Sequence, residues 1–243
     1  MSDERRVALV TGAASGIGAA IAAHLERDNW DVLGADIQGD VDVRADLTTR
    51  AGNRDAVAAA YARFGRLDAV IANAGFQHVA PIEEFPEDRW DAIVALLLTS
   101  PFLLARYAWP HLVESGSGRF VAIASIHGLV ASPYKAAYVS AKHGVIGLIR
   151  TLALEGADHG ISATAVCPAY VRTPLVESQI ADQARAHGLP EERVLEEVIL
   201  ASQPVKRLIE PDEVASAVAY LLSPDGRAFT GAPVIMDQGW SAR

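Results

Sequence analysis

Apolar positions along the chain fall into short continuous runs that alternate with longer stretches of helical period. Runs at residues 7–10, 31–35, 41–43, 68–72, 119–124, 162–166 and 234–236 read as strands, several continuously apolar, as when helices cover both faces of a sheet. Between them, residues 17–27, 54–64, 88–113, 136–157 and 211–222 carry helical patterns, the last with Pro211 at its first position. Such alternation predicts an α/β fold built on a doubly wound parallel sheet with right-handed crossovers. Residues 173–206 break the rhythm. They are rich in Glu and Gln and read as one or two amphipathic helices inserted at the carboxyl edge of the sheet, where a lid over a site would sit. With no linker, repeat or low-complexity tract, residues 1–243 are expected to form one domain, with 173–206 as its substrate lid.

Composition narrows the class. Of 243 residues, 51% are hydrophobic, ample for a core, and the formal net charge of -9 argues against a nucleic-acid surface. A lone cysteine, Cys167, forms no internal disulfide, so a reducing, cytoplasmic setting is expected. Residues 1–6 are polar and 7–10 too short for a signal core. Residues 92–108 come closest to a membrane span, but with Trp90, Asp91 and Arg106 about them they read as a helix buried in a protein interface, so no membrane is expected.

The first strand runs directly into Thr11-Gly12-Ala13-Ala14-Ser15-Gly16-Ile17-Gly18, which opens a helix. Glycines let the backbone turn tightly against a pyrophosphate, and the helix amino end offers free N–H groups to the anion. The spacing Gly-x-x-x-Gly-x-Gly differs from the commoner Gly-x-Gly-x-x-Gly fingerprint, and a glycine cluster alone can be a mere turn. Asp36 ends the second strand, where a carboxylate accepts from both ribose hydroxyls and repels a 2′-phosphate; with no Arg or Lys adjoining it in sequence, NAD is the expected cofactor. Asp46 and Leu47 are placed to meet the adenine, and small residues in Asn73-Ala74-Gly75 let a cofactor lie close.

Tyr138 and Lys142 stand at i and i+4, one turn apart on one helix face. A tyrosine with an ordinary pKa of about 10 is a poor base at neutral pH; a neighbouring ammonium and a nicotinamide cation favour its phenolate. Ser125, ending the fifth strand, can hold a substrate oxygen beside that phenol. A Tyr with a snorkelling Lys is also a common structural pair, but its conjunction with the glycine loop, Asn-Ala-Gly and Ser125, in this order, points to proton transfer with hydride transfer.

These motifs resemble those of the short-chain dehydrogenase/reductase family over essentially the whole chain. Narrower stretches resemble its members that oxidise 3-hydroxybutyrate to acetoacetate: residues 73–78, 90–93, 124–132, 135–138, 141–145, 171–177 with Gln179, and 239–243. The resemblance implies a Rossmann-type fold, Ser125, Tyr138 and Lys142 as catalytic residues, and Pro168, Val171 and Thr173 beside the nicotinamide. It further implies a substrate carboxylate held by Gln77, His127, Lys135 and Gln179, no metal, and a homotetramer. A four-carbon hydroxy acid has little apolar surface, so its affinity must come from charge-assisted hydrogen bonds. Each of these four residues also has a structural reading, as a solvated lysine, a core histidine or surface amides.

Three departures stand out. The family usually carries an Asn in the long helix after the fourth strand, supporting a water in the proton path from the lysine; that position is Leu97 here, with Thr99 and Ser100 as the nearest hydroxyls. By the same resemblance, Tyr170 stands where such members carry Trp, after Pro168-Ala169 in place of Pro-Gly; Asp237-Gln238-Gly239 replaces Asp-Gly-Gly. The first implies a different proton relay or reduced turnover. The second leaves open another small alcohol or a longer hydroxy acid. A non-catalytic nucleotide sensor is the rival from another class, opposed by the intact Ser125, Tyr138 and Lys142.

Overall fold

The computed structural model describes residues 5–242; residues 1–4, most of the polar opening, and Arg243, the last residue of the matching carboxyl end, lie outside the described residues. Seven strands form one parallel sheet: β1 (Val7–Thr11), β2 (Asp31–Asp36), β3 (Val43–Arg44), β4 (Ala69–Ala72), β5 (Arg119–Ile123), β6 (Ser162–Pro168) and β7 (Pro233–Met236), in the order β3-β2-β1-β4-β5-β6-β7. Side chains alternate across the sheet with period two, so each strand feeds two cores. On one face Val7 and Leu9 of β1 and Phe120 of β5 pack with Val57, Leu104, Leu112 and Ile149 from three helices. On the other, Ala8 and Val10 pack with Ile21 and Leu25 of the helix Gly16–Arg27 and Val214, Val218 and Leu221 of the helix Pro211–Leu222. Because β1 lies between β2 and β4, the chain reverses direction there, and a crevice opens at the carboxyl ends of the strands.

Several boundaries differ from those the pattern suggests. The third strand shrinks to Val43–Arg44, paired with Ala35 and Asp36. The second helix begins early, at Arg50, because the Thr49 hydroxyl accepts from Gly52 N at 3.0 Å. Helix Glu87–Glu114 contains a π turn over Ala95–Thr99. Apolar periodicity does not announce one extra residue in a turn. This helix is, by length and composition alone, apolar enough to cross a membrane (mean hydropathy 1.5), yet Leu103, Leu104, Ala105, Ala108 and Leu112 are buried within the chain. The segment after β6 is more broken than one or two helices. It holds Pro174–Glu177, Ile180–His187, Glu191–Val194 and a π turn Leu195–Ile199. Gly188 ends the second of these at φ +64°, and Pro190 caps the third. Val176, Ala184, Val194, Ile199 and Leu200 gather there with Tyr170 into a small separate core.

Candidate active site

Strand ends and the loops after them line a cleft of about 420 Å³. At one end lies the glycine loop. Gly12 and Gly16 take φ of +68° and +55°, and Gly12 N donates to Ala35 O at 2.8 Å, folding the loop back over β2. Gly18 is not in the cleft wall. It lies beneath the loop, where a Cβ would stand 2.0 Å from the Gly12 carbonyl oxygen. Ser15 begins the helix, with Ile17 in its first turn, and both line the cleft.

Asn73 has a role that sequence alone did not show. Its Nδ2 donates to Thr11 O at 2.8 Å, and its backbone N donates to the Thr11 hydroxyl at 3.0 Å, so it ties the glycine loop to the end of β4. Asp36 caps the same loop: its carboxylate accepts from Ala14 N at 3.1 Å and from Ile37 N at 2.7 Å. Asp46 also lines the cleft, its carboxylate accepting from Thr48 N and Oγ1, with Leu47 buried beside it. No Arg or Lys adjoins Asp36 in sequence, but strand pairing brings one near. Arg44 is its register partner on β3, a neighbour that only strand pairing reveals, although its guanidinium turns to the Gly39 carbonyl at 3.4 Å.

At the other end, Ser125, Tyr138 and Lys142 converge. Ser125 follows β5; its hydroxyl accepts from His127 N at 3.1 Å and, lining the cleft with Tyr138, pulls the phenol's pKa down. Lys142 donates from Nζ to Ile123 O at 2.6 Å and stands 5.5 Å from the Tyr138 ring centroid. Burial pushes the phenol up to about 12 against the opposing pull of Ser125, and pushes Lys142 down to about 8. Within the chain alone, desolvation therefore outweighs the lowering expected from Lys142, whose close hydrogen bond goes to backbone. The phenolate needs further positive charge at the site.

Beyond Tyr138 lies a polar group. Lys135 is only 2% exposed; its Nζ donates to the Tyr170 hydroxyl at 3.0 Å, and burial lowers it to about 8. His127 is 4% exposed and held down to about 3 by burial, with Lys135 adding to it, so the imidazole is neutral. Gln77 and Gln179 line the same cleft, the latter's amide donating to Leu175 O at 2.8 Å. Pro168 and Val171 sit at the end of β6, with Val171 pinned by a bridge to Ile209, and Thr173 lies against Gly16. Gly75 packs on Leu97, where a Cβ would meet the leucine at 2.8 Å. Trp240, within the carboxyl-terminal stretch 239–243, stacks on Tyr170 at 6.1 Å and meets the His127 ring edge-on at 5.5 Å.

A family model described as enoyl-(acyl carrier protein) reductase, of the short-chain dehydrogenase type, matches residues 12–241. The chain belongs to the short-chain dehydrogenase/reductase family. It is 43% identical to the D-beta-hydroxybutyrate dehydrogenase of Rhizobium meliloti (strain 1021), covering 98% of this chain and 99% of that one. It is 40% identical to the protein of the same name from Cupriavidus necator, over 98% of each. Among solved structures, ligand-free Thermoplasma acidophilum aldohexose dehydrogenase superposes with a TM-score of 0.88 at 29% identity, covering 99% of this chain and 95% of that one. The protein is thus an oxidoreductase working with a nicotinamide cofactor on a small-molecule substrate. The glycine cradle, closed to any Cβ at Gly12 and Gly18, and the carboxylate ending β2 fit such a cofactor. Among the described residues, no group of three or more His, Cys, Asp or Glu is placed to hold a metal.

Proposed function

We propose that the protein oxidises a short 3-hydroxy acid, 3-hydroxybutyrate to acetoacetate, with NAD. The observation carrying this reading is a buried ammonium, Lys135, in the same cleft as the Ser125–Tyr138 pair. An anionic end and a reacting hydroxyl a short molecule apart match that pairing. Bound NAD supplies the hydride acceptor. The glycine loop would hold its pyrophosphate and Asp36 its adenosine ribose, with Thr173 at the carboxamide and Lys142 at the nicotinamide ribose. Ser125 and Tyr138 position the C3 hydroxyl, and Tyr138 takes the proton as hydride leaves C3. Lys135, with Gln77 and Gln179, receives the carboxylate in a subsite that His127 lines. Residues 173–206 act as a lid that excludes water over the reacting end. Half-exposed apolar side chains on the two long helices, Trp90 at 39% and Phe102 at 44%, and the exposed Leu154 at 81%, support a homotetramer packed through these helices.

The Tyr170 hydroxyl, already bonded to Lys135, favours a second reading, in which the acid is longer or carries a further polar group. NADH formation with D- and L-3-hydroxybutyrate, longer 3-hydroxy acids and neutral secondary alcohols of equal length separates the two. Lys135→Met is expected to abolish the preference for acids over neutral alcohols. A preference that survives intact defeats the carboxylate reading.

A further inference from the structure

The proton taken by Tyr138 must leave the cleft that this residue lines. Beneath Tyr138 the surroundings are apolar. Leu97 packs with Ile93, Ala137 and Ala141 beneath Tyr138, with Phe76 and Phe85 against them. Of the two nearest hydroxyls in sequence, Thr99 and Ser100, the second is committed to Asn53, donating to its Oδ1 at 2.7 Å inside the core. On the other side a continuous polar file runs outward. Ser125 acts on the Tyr138 phenol, lowering its pKa against the effect of burial, and Ser125 Oγ lies 3.5 Å from His127 Nδ1. His127 Nε2 lies 2.8 Å from Ser132 Oγ, and Ser132 is half-buried at the surface, between the exposed Ala131 and Pro133.

We propose that Ser125, His127 and Ser132 form the proton exit of this enzyme, in place of a route past Lys142. The proposal rests on Tyr138 as the proton acceptor but not on which alcohol is oxidised. For each alcohol oxidised, the hydride and its electron pair go to the oxidised nicotinamide, and the hydroxyl proton goes to the Tyr138 oxygen. That phenol then donates to Ser125, Ser125 donates its own proton to His127 Nδ1, the Nε2 proton passes to Ser132, and Ser132 releases one to water. One proton enters the file and one leaves. A neutral imidazole is the ring form this needs, since it offers one lone pair and one N–H. Burial keeps His127 in that form. Rotation of the two serine hydroxyls and exchange of the imidazole back to its starting tautomer reset it. His127 has both ring nitrogens in the file, so it lines the carboxylate's subsite without donating to it, while Ser132 acts only through His127 and is a positioning and relay residue.

Ser132→Ala therefore tests the path without touching the reacting atoms. In weak buffer its kcat is expected to fall roughly tenfold with KM unchanged, less than the loss of a group that meets the reacting atoms directly, because Ser132 stands at the far end of the file. The solvent deuterium isotope effect on kcat should rise, and imidazole buffer should restore turnover. In the protein without cofactor, 15N NMR should show the His127 tautomer balance shifted by the same substitution. Native kcat and isotope effect in Ser132→Ala, or a loss that imidazole does not restore, overturns the path. An unchanged His127 15N spectrum overturns the Ser132–His127 link. If no alcohol on the panel is oxidised by the native chain, the activity reading fails instead, and the NMR result still reports on the file.

Discussion

Replacing His127 with Gln should change how stability depends on pH in a direction fixed by its burial. The imidazole is 4% exposed, lies beside Lys135, and is held down to about 3 from an ordinary value of 6.5. The unfolded chain therefore binds a proton that the folded chain refuses. The stability from this neutral ring is complete above about pH 6.5 and is lost as pH falls toward about 3. At about pH 4.5, two units into that window at 1.36 kcal/mol per unit, the loss is about 2.7 kcal/mol. Gln keeps a donor and an acceptor for Ser132 and Ser125 but does not titrate, so acid effects common to both proteins cancel in the difference. Urea unfolding of both, followed by tryptophan fluorescence at about pH 7.5 and pH 4.5, measures it; the stability of native relative to variant should drop by about 2–3 kcal/mol. A difference that stays constant across this range would refute the reasoning, because it would mean that His127 is protonated as readily in the fold as in water.

Other consequences can be checked separately. Gly18→Ala puts a Cβ 2.0 Å from the Gly12 carbonyl oxygen, so it should cost about 3 kcal/mol or more in urea unfolding and weaken cofactor binding by calorimetry; a difference under about 1 kcal/mol would show that the loop yields. Asp36→Ala removes the charge opposed to a 2′-phosphate and leaves Arg44 across the strand pair, so the kcat/KM ratio of NADP to NAD should rise at least tenfold, about 1.4 kcal/mol; an unmoved ratio would deny Asp36 that role. Because Lys135 sits near 8, the preference for a hydroxy acid over a neutral alcohol should fade as pH rises through about 8, a trend absent in Lys135→Met; Lys142, which titrates in the same region, acts on both substrates and cancels in the ratio.

The order of strands and helices, the glycine loop, and the Tyr138/Lys142 spacing were legible because each is a local property. Period-two and period-3.6 patterns, a turn that needs positive φ, and an i, i+4 pair are written into neighbouring residues. Ser125, Asp36 and Asn73 were legible as candidates for a related reason, since a parallel sheet brings every strand's carboxyl end to one edge. Partnerships across the sheet were not. Arg44 opposite Asp36 depends on register, the Asn73 latch on loop closure, and Tyr170 over Lys135 on where the chain returns after β6. The acidities of Tyr138, Lys135 and His127 belong to the same class, because desolvation depends on what surrounds a group in space, which no spacing encodes. The sequence by itself determined which chemistry-bearing groups exist and at which edge of the sheet they gather. Tertiary packing alone decided which are dry, which are paired, and that a polar file from Tyr138 to the surface runs through His127, because burial and long-range contact arise only once the chain has closed on itself.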